Sequence, residues 1–373
     1  MRRIRIGAAA ALGLAALTLA SVGVPTGARA QDLPAGYPAS YKDTVAAANK
    51  EGKVVVYSST DASQVRPLLD DFKALYPGIT VEYNDLNSTE LYNRFISEAA
   101  ANAGTADVLW SSAMDLQIKL VNDGYAQSYE TPELKALPGW SVWRNEAFGT
   151  TFEPVTFIYN KRLVPEVDVP KTHADLERLL KTRTAEYKGK VTAYDPERSG
   201  VGFLFVTQDA AAWPGARDLF RAFGTAGIKL YTSAGAMLER VSSGEHLIGY
   251  NIFGSYALAR SKKDPSIGIV YPQDYTLVMS RIAFIPKAAK NPNAAKLFMD
   301  YVLSKRGQTL VANQAELFSI REDVEGDATA RAVNRQLGDK VKPISVGPEL
   351  LAYLDQAKRL TFIKQWQQAM QGK

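Results

Sequence analysis

Apolar and polar positions follow one repeating order along this chain: a short apolar run, a small polar loop, then apolar residues at helical spacing. The clearest instance is Lys53 to Tyr83. Val54, Val55 and Val56 form a continuous apolar run, which predicts a strand buried on both faces. Ser58, Ser59, Thr60 and Asp61 interrupt it. Val65, Leu68, Leu69, Phe72, Leu75 and Tyr76 then recur at the spacing of one helix face. Asp61 with Gln64 three residues on resembles a capping box, and Pro67 fits an early helical turn. Pro77 and Gly78 stop the helix, and Ile79 to Tyr83 alternates as a second strand. A right-handed crossover puts the polar loop at the carboxyl edge of a parallel sheet, where open α/β sheets bind ligands.

The same unit recurs. Asn87 is a helix cap with Glu90 at the third helical position, ahead of an amphipathic helix to about Asn102. Asp107 to Trp110 predicts a strand, and Ser112 with Asp115 resembles another capped start, for a helix ending at Gly124. Gly149 to Asn160 has strand composition broken by Pro154, which fits an edge or a crossing between lobes. Lys171 to Leu180 predicts a surface helix and Val191 to Tyr194 a strand. Asp195 to Gly202 is a turn that opens a helix. Ser233 to Ser242 is helical. Leu247 to Tyr250 is a strand leading into a loop from Asn251 to Tyr256. Val278 to Ile285 is a strand suited to pair with the earlier crossing, and Asn293 to Leu303 is an amphipathic helix. Alternating strands and helices with two crossings predict two α/β lobes joined by a hinge, each discontinuous in sequence.

The first thirty residues break the pattern. Arg2, Arg3 and Arg5 precede an uncharged stretch from Ile6 to Val24, and Ala28-Arg29-Ala30 is a small-residue cleavage site. Together these predict a secretory signal peptide, cleaved after Ala30, and hence a periplasmic protein. The alternative is a membrane anchor, which Gly7, Gly13, Gly23 and Pro25 weaken. The leader changes the charge picture. The whole chain has 44 Lys and Arg against 39 Asp and Glu, a net charge of +5, but four of the arginines and no acid lie in the leader. The rest is about +1, so no general case for nucleic-acid or membrane binding survives. There is no cysteine, which excludes disulfides, thiol catalysis, cysteine metal sites and a lipidated N-terminal cysteine.

Little supports an enzyme. The chain has two histidines, His173 and His246, and both are expected to be solvated surface residues. No nucleophile elbow, zinc-protease helix or Walker loop occurs. The polar loops carry more. Ser58-Ser59-Thr60, Asn87-Ser88, Ser111-Ser112 and Ser199-Gly200 each follow a strand and precede a helix. Helix N-termini carry partial positive charge and free N–H groups, so several aimed at one cleft make an anion site. Arg198 and Arg281 are candidates for a bidentate clamp. Each loop alone is also explained by helix capping. Tyr250 and Tyr256 flank a glycine-containing loop, as ferric ligands, walls for an organic ligand, or plain core aromatics.

Six segments in order resemble a known family: VVVYSSTD at the first strand, ADVLWSSAMDLQIKLVNDG at Ala106 to Gly124, FIYNK at Phe157 to Lys161, DPERSG at Asp195 to Gly200, SGEHLIGYN at Ser243 to Asn251, and KNPNAAKLFMDYVLSKRGQTLVA at Lys290 to Ala312. The chain resembles the periplasmic solute-binding proteins of ABC importers, in the branch that includes ferric-ion-binding proteins and relatives for phosphorylated or other anionic organic solutes. The resemblance implies an α/β, two-lobe periplasmic-binding-protein fold of type II, with the ligand cleft between lobes joined by hinge strands. One lobe is expected at 31–153 plus 281–321 and the other at 154–280 plus 341–373. It implies capture of a solute by hinge closure and delivery to an inner-membrane permease, by a monomer with no cofactor and no enzymatic activity.

Ferric members typically use a histidine or acid in the first loop and two adjacent tyrosines after the strand matching Leu247 to Tyr250. Here Asp61 stands near the first position, and the tyrosine pair is replaced by Asn251-Ile252-Phe253-Gly254-Ser255-Tyr256. A small organic anion (phosphorylated, phosphonate or carboxylate) therefore fits better than ferric ion. The expected ligand residues are Ser58, Ser59, Thr60, Asp61, Ser88, Ser111 and Ser112 from one lobe, Arg198, Ser199, Gly200, Tyr250, Asn251 and Tyr256 from the other, and Arg281. The alternatives are a ferric-ion-binding protein, a subunit presenting ligand to a sensor kinase, and a secreted hydrolase.

Overall fold

The valine run at 54–56 lies inside β1 (Lys53–Ser58), where all three side chains are buried. The computed structural model of the protein describes residues 37–104 and 106–371. The leader assigned from the sequence lies outside them. Among the described residues no helix is long and apolar enough to cross a membrane.

In chain order the further strands are β2 (Thr80–Asp85), β3 (Val108–Ser111), β4 (Val142–Trp143), β5 (Ala147–Gly149), β6 (Glu153–Asn160), β7 (Val191–Tyr194), β8 (Lys229–Tyr231), β9 (Ile248–Phe253), β10 (Ile267–Val270), β11 (Thr276–Met279), β12 (Ile282–Phe284) and β13 (Val341–Pro343). They build two sheets. The first has the order β2-β1-β3-β12-β5-β4, and the second β13-β11-β6-β9-β7-β8, with β10 also on β6. In the first, β1 runs parallel to β2 and β3. In the second, β7 runs parallel to β8 and β9. Parallel neighbours require crossover helices, and these cover the sheets. Ala62–Leu75 connects β1 to β2, and Ser88–Ala100 connects β2 to β3.

Two crossings join the sheets side by side. β5 belongs to the first and β6 to the second, and the chain returns from β11 in the second to β12 in the first. The apolar stretch at 278–285, expected as one strand, is thus split at Ser280 and Arg281. Val278 pairs with Pro154 across the second sheet, and Ala283 with Phe148 across the first. Thr150 N donates to Arg281 O at 2.9 Å, and Arg281 N donates to Thr151 Oγ1 at 2.9 Å. The crossings approach so closely that a Cβ on Gly149 would lie 2.6 Å from Ser280 Oγ, so only glycine fits without displacement.

After β13 joins the second sheet, Val346 N donates to Trp140 O at 2.8 Å. The last helix, Gln356–Met370, lies on Ala216–Ala226, where Trp366 and Phe220 meet edge to face at 4.9 Å.

Both histidines are buried, against expectation. His173 opens the helix His173–Thr182; its Nδ1 lies 2.9 Å from Asp274 Oδ1 and its ring stacks on Tyr275 at 4.1 Å. His246 Nε2 lies 2.9 Å from the Tyr231 hydroxyl. The polar neighbours of His173 and the position of His246 ahead of a strand suggest solvent, but their partners Asp274 and Tyr231 come from other segments.

Candidate functional site

Between the sheets lies a cleft of about 170 Å³, floored by the carboxyl ends of strands from both. Its first wall is built by the loops after β1, β2 and β3. Ser59 joins two of them: Ser112 N donates to Ser59 Oγ at 2.9 Å, and the two hydroxyls lie 3.1 Å apart. Asp85 accepts from Ala62 N at 2.9 Å, capping the helix after β1 with a carboxylate from the next strand. Asp61 occupies the N-cap position there but makes no capping bond with its side chain. Asn87 does cap, accepting from Thr89 N and Glu90 N, as the sequence predicts. Ser112 does not cap; the helix Met114–Asn122 begins after Ala113, without a side-chain cap.

The opposite wall comes from the loops after β7, β8 and β9. Ser199 caps Gly200–Ala212, accepting from Gly202 N at 3.2 Å. Ser233 precedes Ala234–Ser243 and makes no capping bond. Phe253 precedes Gly254–Lys263. The cleft lining therefore holds five N-cap positions, Asp61, Asn87, Ser199, Ser233 and Phe253, and a sixth helix begins just beyond Ser112. Each such terminus carries roughly half a positive charge, and Asp85, Asn87 and Ser199 already take N–H groups at three of them. Among the described residues Arg198 is the one lining cation, and Asp61 and Asp85 are the lining acids.

The walls touch. Gly200 N donates to Thr89 Oγ1 at 3.1 Å, and Asp61 N approaches the Tyr256 hydroxyl at 3.4 Å. A Cβ on Gly200 would meet Leu116 Cδ1 at 3.0 Å, Ala113 Cβ at 3.2 Å and Ser88 Oγ at 3.2 Å, all across the cleft. Burial pushes the Tyr256 phenol up to about 12, with Arg281 opposing the shift and Asp61 adding to it.

Of the residues expected from the sequence, Ser59, Asp61, Ser88, Ser112, Arg198, Ser199 and Tyr256 line the cleft. The others lie behind it. Ser58 Oγ accepts from Thr60 N, and Ser111 Oγ from Ala113 N, so each braces its own loop. Gly200 serves the contact between walls. Thr60 Oγ1 accepts from Arg281 Nη1 at 2.8 Å. Arg281 is no open clamp: it is buried and paired with Glu153, Nε to Oε1 2.6 Å. Tyr250 and Asn251 are also buried, because β9 runs on to Phe253 where a loop was expected. The Tyr250 hydroxyl and Asn251 Nδ2 both donate to Asp209 Oδ2, at 2.7 and 2.6 Å.

The cleft also holds Asp85, Tyr194, Phe253 and the run Thr232-Ser233-Ala234-Gly235, which were not expected. The run follows β8, a strand of three residues, too short to stand out by periodicity. The sequence signal is a run of hydroxyls ahead of a helix, as at Ser58-Ser59-Thr60 and Ser111-Ser112. Among the described residues no group of three or more His, Asp or Glu is placed to hold a metal ion.

The family profile described as bacterial extracellular solute-binding protein matches residues 67–335. The substrate-binding protein of an ABC transporter from Agrobacterium tumefaciens is 41% identical, with a TM-score of 0.82 over 85% of this chain and 94% of that one. The periplasmic binding protein AfuA from Actinobacillus pleuropneumoniae, with fructose-6-phosphate bound, is 21% identical with a TM-score of 0.71, covering 86% and 98%. Iron-bound HitA from Pseudomonas aeruginosa is 20% identical with a TM-score of 0.65, covering 85% and 99%. The architecture is that of the type II periplasmic binding proteins.

Proposed function

The chain belongs to the bacterial extracellular solute-binding proteins, as a substrate-binding component of an ABC transporter, and from that premise we propose that its cargo is a small anionic organic solute. The observation that carries this is the convergence of helix N-caps on one cleft whose lining, among the described residues, has a single cationic side chain, Arg198. Backbone N–H groups at helix N-termini bind phosphate, phosphonate or carboxylate oxygens without further charge. The acids Asp61 and Asp85 and the hydroxyls of Ser59, Ser112 and Thr232 suit the polar remainder of such a molecule. AfuA, with its sugar phosphate, supports an organic phosphate. The solute bridges the two walls, so it adds contacts only when they are closed, and this difference drives closure. The closed protein then delivers its cargo from the periplasm to the membrane permease. Catalysis has no part in this role.

The test is thermal unfolding of protein stripped by unfolding and refolding, against sugar phosphates, phosphonates, dicarboxylates and ferric citrate. A ligand at 100 times its Kd stabilises by about 2.7 kcal/mol, which moves the midpoint by several degrees. A shift with an organic anion, lost in Arg198→Ala, supports the proposal. A shift with iron alone, with a tyrosinate-to-iron absorption band, replaces it with the ferric alternative.

A further inference from the structure

Tyr194 is the last residue of β7, is 4% exposed and lines the cleft. Its hydroxyl is buried and has no hydrogen-bond partner among the described residues. Three other buried side-chain atoms share that condition, on Asp115, His246 and Ser266, and none of those residues lines the cleft. A buried hydroxyl left unpaired is rare and requires an explanation.

The ring around it is fixed. Phe205 and Phe253 meet it edge to face, both at 6.0 Å. Gly202 lies against it so closely that a Cβ there would stand 2.9 Å from Tyr194 Cβ. The hydroxyl is thus held in place before any ligand arrives, which lowers the entropic cost of using it. Burial holds the phenol well above its ordinary range, so at neutral pH it donates a proton in a hydrogen bond. The same cleft lining holds further donors. Among the described residues Ser233 makes no capping bond, and the N–H groups of Ala234 and Gly235 open their helix without a backbone acceptor. Arg198 adds the charge.

We propose that Tyr194 contacts the cargo directly, its Oη donating to an oxygen of a phosphate or phosphonate group seated between the N-termini of Gly200–Ala212 and Ala234–Ser243. This rests on the anionic-solute function proposed above and narrows it to tetrahedral oxyanions. It also makes Tyr194 a residue of specificity, since an analogue without that oxygen leaves the hydroxyl unpaired.

Tyr194→Phe tests it, with inorganic phosphate and fructose 6-phosphate as probes in titration calorimetry. The hydroxyl has no partner among the described residues, so the variant should unfold at the same temperature as the wild type, or higher, without ligand. Its affinity for a probe the wild type binds should fall about tenfold or more. A structural tyrosine would give the opposite pair of results. Equal affinities in the two proteins would overturn the role of Tyr194 and leave the anionic cargo standing. Wild type that binds a carboxylate in the panel but neither probe overturns the phosphate seat alone; wild type that binds no organic anion overturns both. Should the variant fail to fold, 3-fluorotyrosine at position 194 provides a second measurement. Its fluorine resonance must move when a bound probe is added, and a fixed resonance rules the contact out.

Discussion

Arg281 and Glu153 form an ion pair with both side chains out of water, at the two points where the chain crosses between sheets. Nε lies 2.6 Å from Oε1 and Nη2 3.2 Å from Oε2. Burial works against the Arg281 charge, but the Glu153 carboxylate outweighs it and holds the guanidinium above its usual range. The pair reaches both walls. Arg281 donates to Thr60 Oγ1, and Glu153 accepts from Ser255 in the first turn of Gly254–Lys263 and from Thr151 Oγ1. The loops that line the cleft are thus tied to the hinge through one buried network.

Removing one partner leaves an uncompensated buried charge. Glu153→Gln should cost about 3–5 kcal/mol of stability. The double change Glu153→Gln with Arg281→Met should cost clearly less than the single one. Urea unfolding of the three proteins checks this, and a single variant as stable as the wild type would contradict it.

At Gly200 the two walls are in direct contact. Gly200→Val adds side-chain atoms where Leu116, Ala113 and Ser88 leave no room. Overpacking costs about 1–3 kcal/mol, and here opening the cleft relieves it. The expected outcome is ligand affinity about tenfold lower or worse, with an unfolding temperature close to wild type in the absence of ligand. Calorimetry and small-angle scattering read the two effects, and unaltered affinity would rule out a steric role in closure.

Asp115 links stability to pH. It sits in the first turn of Met114–Asn122 with Oδ1 buried and unpaired. Burial raises its carboxyl to about 6, only partly offset by the Leu116 N–H and by Arg359. The unfolded chain holds such a group near 3.9, so between about pH 4 and 6 the folded protein binds more protons. Stability then falls as pH rises through that window and levels off above it. Asp115→Asn cannot ionise and should gain about 2 kcal/mol over wild type at pH 7 relative to pH 4. Unfolding of both proteins at the two pH values decides it; a constant difference would mean that Asp115 titrates normally.

Local pattern alone settled much of this protein. Strand, hydroxyl loop and helix recur because side-chain periodicity is written residue by residue, and it predicted β7 at Val191–Tyr194 to the residue and β1 with its following helix closely. Asn87 capped as predicted because a cap and its N–H groups lie within three residues. The two α/β layers and their crossings followed from the order of elements.

Tertiary structure decided which of those loop atoms face the ligand. Ser59 lines the cleft while Ser58 turns to Thr60 N, and no neighbour in sequence distinguishes them. Arg281 found its counter-charge 128 residues away, which removed it from the lining. Asp209 drew Tyr250 and Asn251 into the second lobe from 41 and 42 residues off. Tyr194 entered the cleft because Phe205, Phe253 and Gly202 hold its ring there. A side chain's periodicity belongs to its own segment. Its partner, its burial and therefore its charge state belong to whichever distant segment packs against it.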